Sequence, residues 1–262
     1  MTAKCDNLYY PDLRKFYERL IVLRHNAYFM NNMMNATLKK YSNVPPEHLI
    51  SASALIISDI TGETDNGWEL NFHTGVSKTV LAKEFNNEVS RLISIECCYV
   101  LAQSFEALEK LFKNFIYEKC KLDNLFFEVI KTEKFNPQDR SNYPGGDSLL
   151  KLIRKATKED FNKYSESNNY KLKFSVFWKT ISELRHAITH SQNIIKKEKI
   201  FKSKDYTNIA RHFASFSPIT QNEVEIVLDY KKIDRLLKSI AEFAFQVFKI
   251  LSKEKGFKWK MS

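Results

Sequence analysis

Glycine and proline are scarce in this chain, six of each in 262 residues. A sandwich or barrel with many tight turns draws on both, so the shortage points to long helices instead. The four cysteines, Cys5, Cys97, Cys98 and Cys120, show neither C-x-x-C spacing nor a disulfide framework. Cys97 and Cys98 sit side by side in an apolar run and read as small core residues. No uninterrupted apolar stretch approaches the length of a membrane span. The first residues, "MTAKCDNLYYPDLRKFYERL", are charged too early for a secretory signal, so a cytoplasmic location is expected.

What the chain does have is apolar and basic. Apolar residues make up 44% of it and aromatics 13%, enough for a buried core in one large domain or two smaller ones. Lysine and arginine number 41 against 31 acids, a formal charge of +10. A surplus of that size favours anionic partners, nucleic acid first among them. A lysine-rich soluble surface gives the same composition, and composition does not separate the two.

Apolar spacing predicts a helix over residues 11–41, through Leu13, Phe16, Leu20 and Leu23. "SNVPPEHLISASALIISDI" predicts a second, with Pro45 and Pro46 in its first turn and apolar residues through Ile60. "TGETDNGWELNFHTGVS" reads as a loop or short hairpin, and a long helical pattern follows over 78–122, with a break expected near Asn86 and Asn87. "KFNPQDRSNYPGGDS" is a connector, after which Asp147 or Ser148 can cap a helix. A polar break at "SESNNY" precedes another helix, about 174–191. "FASFSPITQNEVEIVL" can pair as a hairpin, and a last helix carries a stripe through Ile233, Leu237, Ile240, Phe243 and Val247. The expected fold class is all-α: an antiparallel helical bundle with an N-terminal helical extension and a short β-hairpin before the last helix.

One stretch is too rich in polar chemistry for a helix that only buries a side: "SELRHAITHSQN", Ser182 to Asn193. At about 100° per residue, Phe177, Ile181, Leu184 and Ile188 gather on one face. Trp178, Lys179, Ser182, Arg185, His186, Thr189 and His190 fall opposite. His186 and His190 are one turn apart, so their rings can be neighbours.

Three readings fit this strip. The first is a solvated helix face with incidental histidines. The second is a metal pair joined by Glu183, but it lacks a third ligand, Arg185 would repel the cation, and the order is not H-E-x-x-H. The third is phosphodiester chemistry: an arginine holds a phosphate with its planar cation, and a histidine moves a proton.

"RHAITH", Arg185 to His190, resembles the R-x(4–6)-H motif of the HEPN superfamily, with four residues between Arg and His and a polar residue, His186, after the Arg. Its context is similar too. "SFEALEKLFKNFI" precedes the motif helix "VFWKTISELRHAITHS", and "IDRLLKSIAEFAFQVFKIL" follows it. The resemblance covers about Glu88 to Lys255 and implies a HEPN-like domain over 88–262, leaving 1–87 as a helical region of unknown role. Many members are metal-independent endoribonucleases of toxin–antitoxin, abortive-infection and CRISPR systems, with a composite site built from two facing units.

By that resemblance Arg185 and His190 are the catalytic pair, and His186 helps to orient them. An acid on an earlier helix contacts the arginine, Glu109 as first candidate and Glu106 in reserve. The partners implied are RNA, a second copy of the chain, and an antitoxin or regulatory protein; no metal or cofactor is expected. The subgroup paired with nucleotidyltransferase antitoxins carries a tyrosine where this chain has Gln192, so modification there is not expected. The alternative function is a non-catalytic HEPN module that binds RNA, a nucleotide or a protein.

Lys179 on the same strip, with Lys196 and Lys197 at the start of "KKEKIFKSK", are the expected phosphate contacts. The C-terminal "KEKGFKWK" interleaves lysine with Phe257 and Trp259, a pattern that can stack bases, but a frayed tail is the expectation there.

Overall fold

The long apolar stripes fold as helices. The computed structural model describes residues 7–57, 63–64, 67–68, 72–131, 137–139, 142–168 and 172–260. Its helices are α1 (Tyr10–Lys40), α2 (Phe85–Leu122), α3 (Asn124–Lys131), α4 (Gly146–Ser167), α5 (Phe174–His190), α6 (Lys197–Ile200), α7 (Lys204–Phe213) and α8 (Tyr230–Glu254). Short antiparallel strands accompany them: β1 (Leu49–Ile57), β2 (Glu63–Thr64), β3 (Gly67–Trp68), β4 (Phe72–Leu81), β5 (Ile194–Lys196), β6 (Ser215–Pro218) and β7 (Glu223–Val227). The fold is mainly helical, and among the described residues no helix is long and apolar enough to cross a membrane.

The chain divides into two compact units, Met1–Phe29 with Ser94–Ser262, and Met30–Ile93. This differs from a division at residue 87, because the first part of α1 belongs with the C-terminal helices. Leu13, Phe16, Leu20 and Leu23 are buried, Tyr9 packs edge-on to Phe115, and Asn7 donates to Ser252 Oγ at 2.8 Å.

The core of this larger unit is aromatic. Trp178 and Phe174 on α5 meet Phe112 on α2 and Phe243 on α8, with Phe174 and Phe243 centroids 4.7 Å apart. The β5–β7–β6 sheet joins through Ile195, Val224 and Ile226, all buried. β6 and β7 form the hairpin expected before the last helix, with Ser215 opposite Val227 and Pro218 opposite Val224. The tail is not frayed. Phe257 N–H donates to Ser252 O at 2.9 Å, and Trp259 lies beside Phe245 under the ammonium of Lys249.

Two expectations about α4 need correction. α4 is capped at Gly145, and neither Asp147 nor Ser148 serves as N-cap. It runs through "SES" to Ser167, with a kink at Lys158 (φ 51°). The connector before it lies partly outside the described residues, as does the polar break after Asn168.

The smaller unit overturns the second helix. Residues 49–57 are the strand β1, paired antiparallel with β4 from Leu49–Leu81 to Ile57–Phe72. Pro45 and Pro46 begin a turn closed by His48 N–H on Pro45 O at 2.9 Å, and Pro46 supplies the fixed φ that position demands. β4 also takes Lys78–Leu81 from the expected start of the long helix, a 3₁₀ turn covers Ala82–Glu84, and α2 passes Asn86 and Asn87 unbroken. Gly75, at φ +72°, sits where β4 shifts register against β1.

Candidate functional site

α5 forms where the sequence demands it. Phe174, Phe177, Ile181, Leu184 and Ile188 recur at helical spacing and are all buried. Its entry is held by Asn168, whose side chain accepts from Leu172 N–H at 2.9 Å and donates to Leu172 O at 2.8 Å. Its exit is set by Gln192 and Asn193, both with positive φ (50° and 68°), which turn the chain back so that Asn193 N–H reaches Ala187 O at 3.2 Å. Asn193 O then accepts from Ile226 N–H at 2.8 Å, fastening the end of α5 to β7. The last turn of α5 is thereby anchored by backbone bonds at its C-terminal end.

That turn presents His186, Thr189 and His190 to solvent. The two imidazoles lie 4.8 Å apart between centroids, inclined at 48°. Thr189 Oγ1 donates to Arg185 O at 3.0 Å, a side-chain bond back to the preceding turn. Trp178 does not belong to this face. It is fully buried, stacked on Phe112 at 5.8 Å, and its indole N–H donates to Gly146 O at 3.2 Å. α5 meets neighbours on both α2 and α8, so its buried arc is wider than the aliphatic stripe suggests.

The acid that meets Arg185 is Glu106, through a 3.0 Å bond from Nη2 to Oε1. Glu109, the first candidate, is engaged elsewhere: its Oε1 accepts from Gly146 N–H at 2.8 Å at the N-terminus of α4. The backbone there has reason to be glycine. A Cβ on Gly145 would lie 3.3 Å from Glu109 Oε1, tighter than ordinary contacts, and Gly146 adopts φ +56°. A carboxylate against free N–H groups at a helix start is favourable, so Glu109 caps α4 and leaves the arginine to Glu106.

The Arg185–Glu106 pair is a weak clamp. Glu106 is 53% exposed, and exposed ion pairs contribute about 0–1 kcal/mol. Of the five guanidinium N–H donors, the pair engages Nη2, while the buried Nε has no partner among the described residues. No hydrogen bond joins the guanidinium to either histidine among those residues.

The three lysines expected to bind phosphate fare differently. Lys179 pairs with Asp147 at 3.4 Å. Lys197 donates to Gln221 O at 2.7 Å and is tied to the β6–β7 turn. Lys196 is exposed at the end of β5, opposite Glu223. Glu183 does not join the histidines; it lies 3.6 Å from Lys199. Among the described residues no three His, Cys, Asp or Glu side chains stand together as a metal-holding group.

The arrangement joins a permanent cation and two adjacent imidazoles near the anchored end of α5 with a displaceable carboxylate on α2. Such a set can hold an anionic oxygen and move protons beside it. No protein-family model, curated protein or solved structure matches the chain.

Proposed function

We propose that this chain is an endoribonuclease of the HEPN type, cutting RNA without a metal ion at a composite site made by two copies of the chain. The observation that carries the reading is the end of α5, where His186 and His190 stand exposed 4.8 Å apart, on the helix stretch that carries Arg185, an arginine held among the described residues by a solvent-exposed acid. A scissile phosphate can replace Glu106 on Arg185 at small cost, because the arginine keeps an anionic partner and the displaced carboxylate is already half in water. His190 then accepts the proton of the 2′-hydroxyl, and a second imidazole protonates the departing 5′-oxygen. A toxin or phage-defence role, with an antitoxin or regulatory partner, belongs to the same proposal and rests on the resemblance of "RHAITH" alone.

The test is cleavage of single-stranded RNA by purified protein in excess chelator. Wild type is expected to cut and Arg185→Ala to be inactive while remaining folded. Equal cutting by both would overturn the proposal.

A further inference from the structure

Glu106 has a second neighbourhood. It lines a cavity of about 560 Å³ between α1 and α2, so the cavity and the motif helix share one side chain. The floor is apolar: Phe16 and Leu111 are buried beneath it, and Ala107 keeps it open by being small. The rim is cationic, with Lys15 and Arg19 one helical turn apart on α1 and Lys110 on α2.

The charges on this rim are unequally spent. Of the two acids lining the cavity, Glu106 is paired with Arg185, while Asp12 accepts from the neutral Asn114 at 2.8 Å and keeps its charge, so three cations stand against one such acid. Arg19 donates across the cavity to Gln103, a neutral partner, and has no ion pair among the described residues. Lys15 and Lys110 are exposed and hold no ion pair among the described residues. Three cations around an apolar floor suit a ligand with a flat apolar face and a string of negative charges. From Gln103 to Asn114, α2 runs for roughly 16 Å at about 1.5 Å per residue, room for more than one nucleotide.

We infer that this groove binds the single-stranded RNA flanking the cut. Lys15, Arg19 and Lys110 hold its phosphates, and a base lies over Ala107. The strand leaves the groove past Glu106 and so delivers the next phosphate to Arg185. The binding site stands on the groove itself; only its placement beside a cut rests on the proposed ribonuclease activity.

The experiment keeps these apart by using an RNA of about eight nucleotides with 2′-fluoro riboses, which lacks the nucleophile and reports binding alone. Lys15→Glu with Lys110→Glu is expected to weaken binding at least about tenfold and to flatten the log–log salt slope by roughly 1.4, the value for two single-strand phosphate contacts. Lys121→Glu with Lys231→Glu, an equal change in net charge away from the groove, is expected to weaken it far less. Ala107→Phe fills the floor without changing charge, and is expected to weaken binding while leaving the salt slope unchanged.

Groove variants that bind like the Lys121/Lys231 control, with unchanged melting temperatures, would overturn the inference. So would a mononucleotide competing as well as the oligomer, since the groove would then serve a free nucleotide. Wild type that binds through the groove yet cuts no natural RNA would sink the ribonuclease reading and leave the groove standing.

Discussion

Arg185 on α5 donates to the Glu106 carboxylate on α2 at 3.0 Å, across 79 residues of sequence. The bond sets the arginine's direction, while its exposure keeps it weak, of the size that another anion can replace. One turn further along α2, Glu109 looks similar in sequence but performs a different task, at the start of α4.

Separate substitutions distinguish the two acids. Glu106→Ala is expected to lower kcat about tenfold, the loss of one orienting contact, and to change the melting temperature little. Glu106→Gln, which keeps the acceptor, is expected to recover part of that rate. Glu109→Ala is expected to cost about 1 kcal/mol, or roughly 2–4 °C in Tm, through the lost cap, with a smaller effect on kcat. Cleavage kinetics and thermal melts of the variants decide it, and a reversed pattern would show that the acids' roles have been exchanged.

How much of this was legible depends on what each feature needs. α5 and α8 follow from local periodicity, since Phe177, Ile181, Leu184 and Ile188, or Ile233, Leu237, Ile240 and Phe243, recur at a spacing only a helix can bury together. β1 does not, because "LISASALII" supplies apolar residues that either period can claim, and pairing with β4 decides. Trp178 falls with the polar face by helical spacing because the aliphatic stripe marks one side of α5, whereas its contacts with Phe105 and Phe112 come from α2. Glu106 and Glu109 are three residues apart on one helix, and only the position of Gly146 separates them. Lys15 and Arg19 had no signal at all; their spacing is common to helical surfaces, and the cavity they border is tertiary.

In the smaller unit, Glu88 accepts from Arg91 and Lys78, each at 2.7 Å. Those bonds, Arg91's foremost, hold its carboxyl down to about 2. The unfolded chain titrates near 4.3, so between these values the unfolded state binds more protons. The stabilisation is therefore full above about pH 4.3 and is lost as pH falls through about 2. Glu88→Gln is expected to cost roughly 1 kcal/mol at neutral pH and to unfold with a shallower pH slope across that window. Urea midpoints measured against pH test it; parallel curves for variant and wild type would show the pair contributes nothing.

Burial pushes the thiols of Cys97 and Cys98 up to about 12, and raises that of Cys120. Few thiolates exist at pH 8, and little surface admits a reagent. In a Cys5→Ser variant, alkylation by iodoacetamide is expected to be negligible in buffer and complete in denaturant. Mass spectrometry reads the count, and rapid labelling of the folded protein would contradict this burial.

Each chain carries one Arg185–His190 set, whereas base and acid roles on opposite sides of a phosphate are most readily filled by two. The exposed turn of α5 is therefore expected to face its twin across a two-fold interface. Sedimentation at micromolar concentration should give a dimer. Mixing inactive Arg185→Ala and His190→Ala proteins should restore partial activity, since some mixed dimers then hold one complete complement of roles. A strictly monomeric protein that still cut RNA would exclude the composite site.

The cleavage products report the proposed chemistry most directly. The 2′-oxygen forms a bond to phosphorus while the bond from phosphorus to the 5′-oxygen breaks. His190 accepts the hydroxyl proton, an imidazolium gives a proton to the leaving oxygen, and Arg185 balances the charge gathering on the phosphate. The upstream fragment must then end in a 2′,3′-cyclic phosphate and the downstream one in a free 5′-hydroxyl. Mass spectrometry of the fragments is expected to show both, in chelator as in buffer. A substrate with deoxyribose at the cut site is expected to resist, because it lacks the attacking oxygen. His190→Ala is expected to abolish cleavage while leaving RNA affinity within a few-fold, since a neutral imidazole adds little to phosphate attraction. Cleavage of the deoxyribose substrate, or fragments bearing a 5′-phosphate, would require a water nucleophile and return Arg185, His186 and His190 to an ordinary solvated turn.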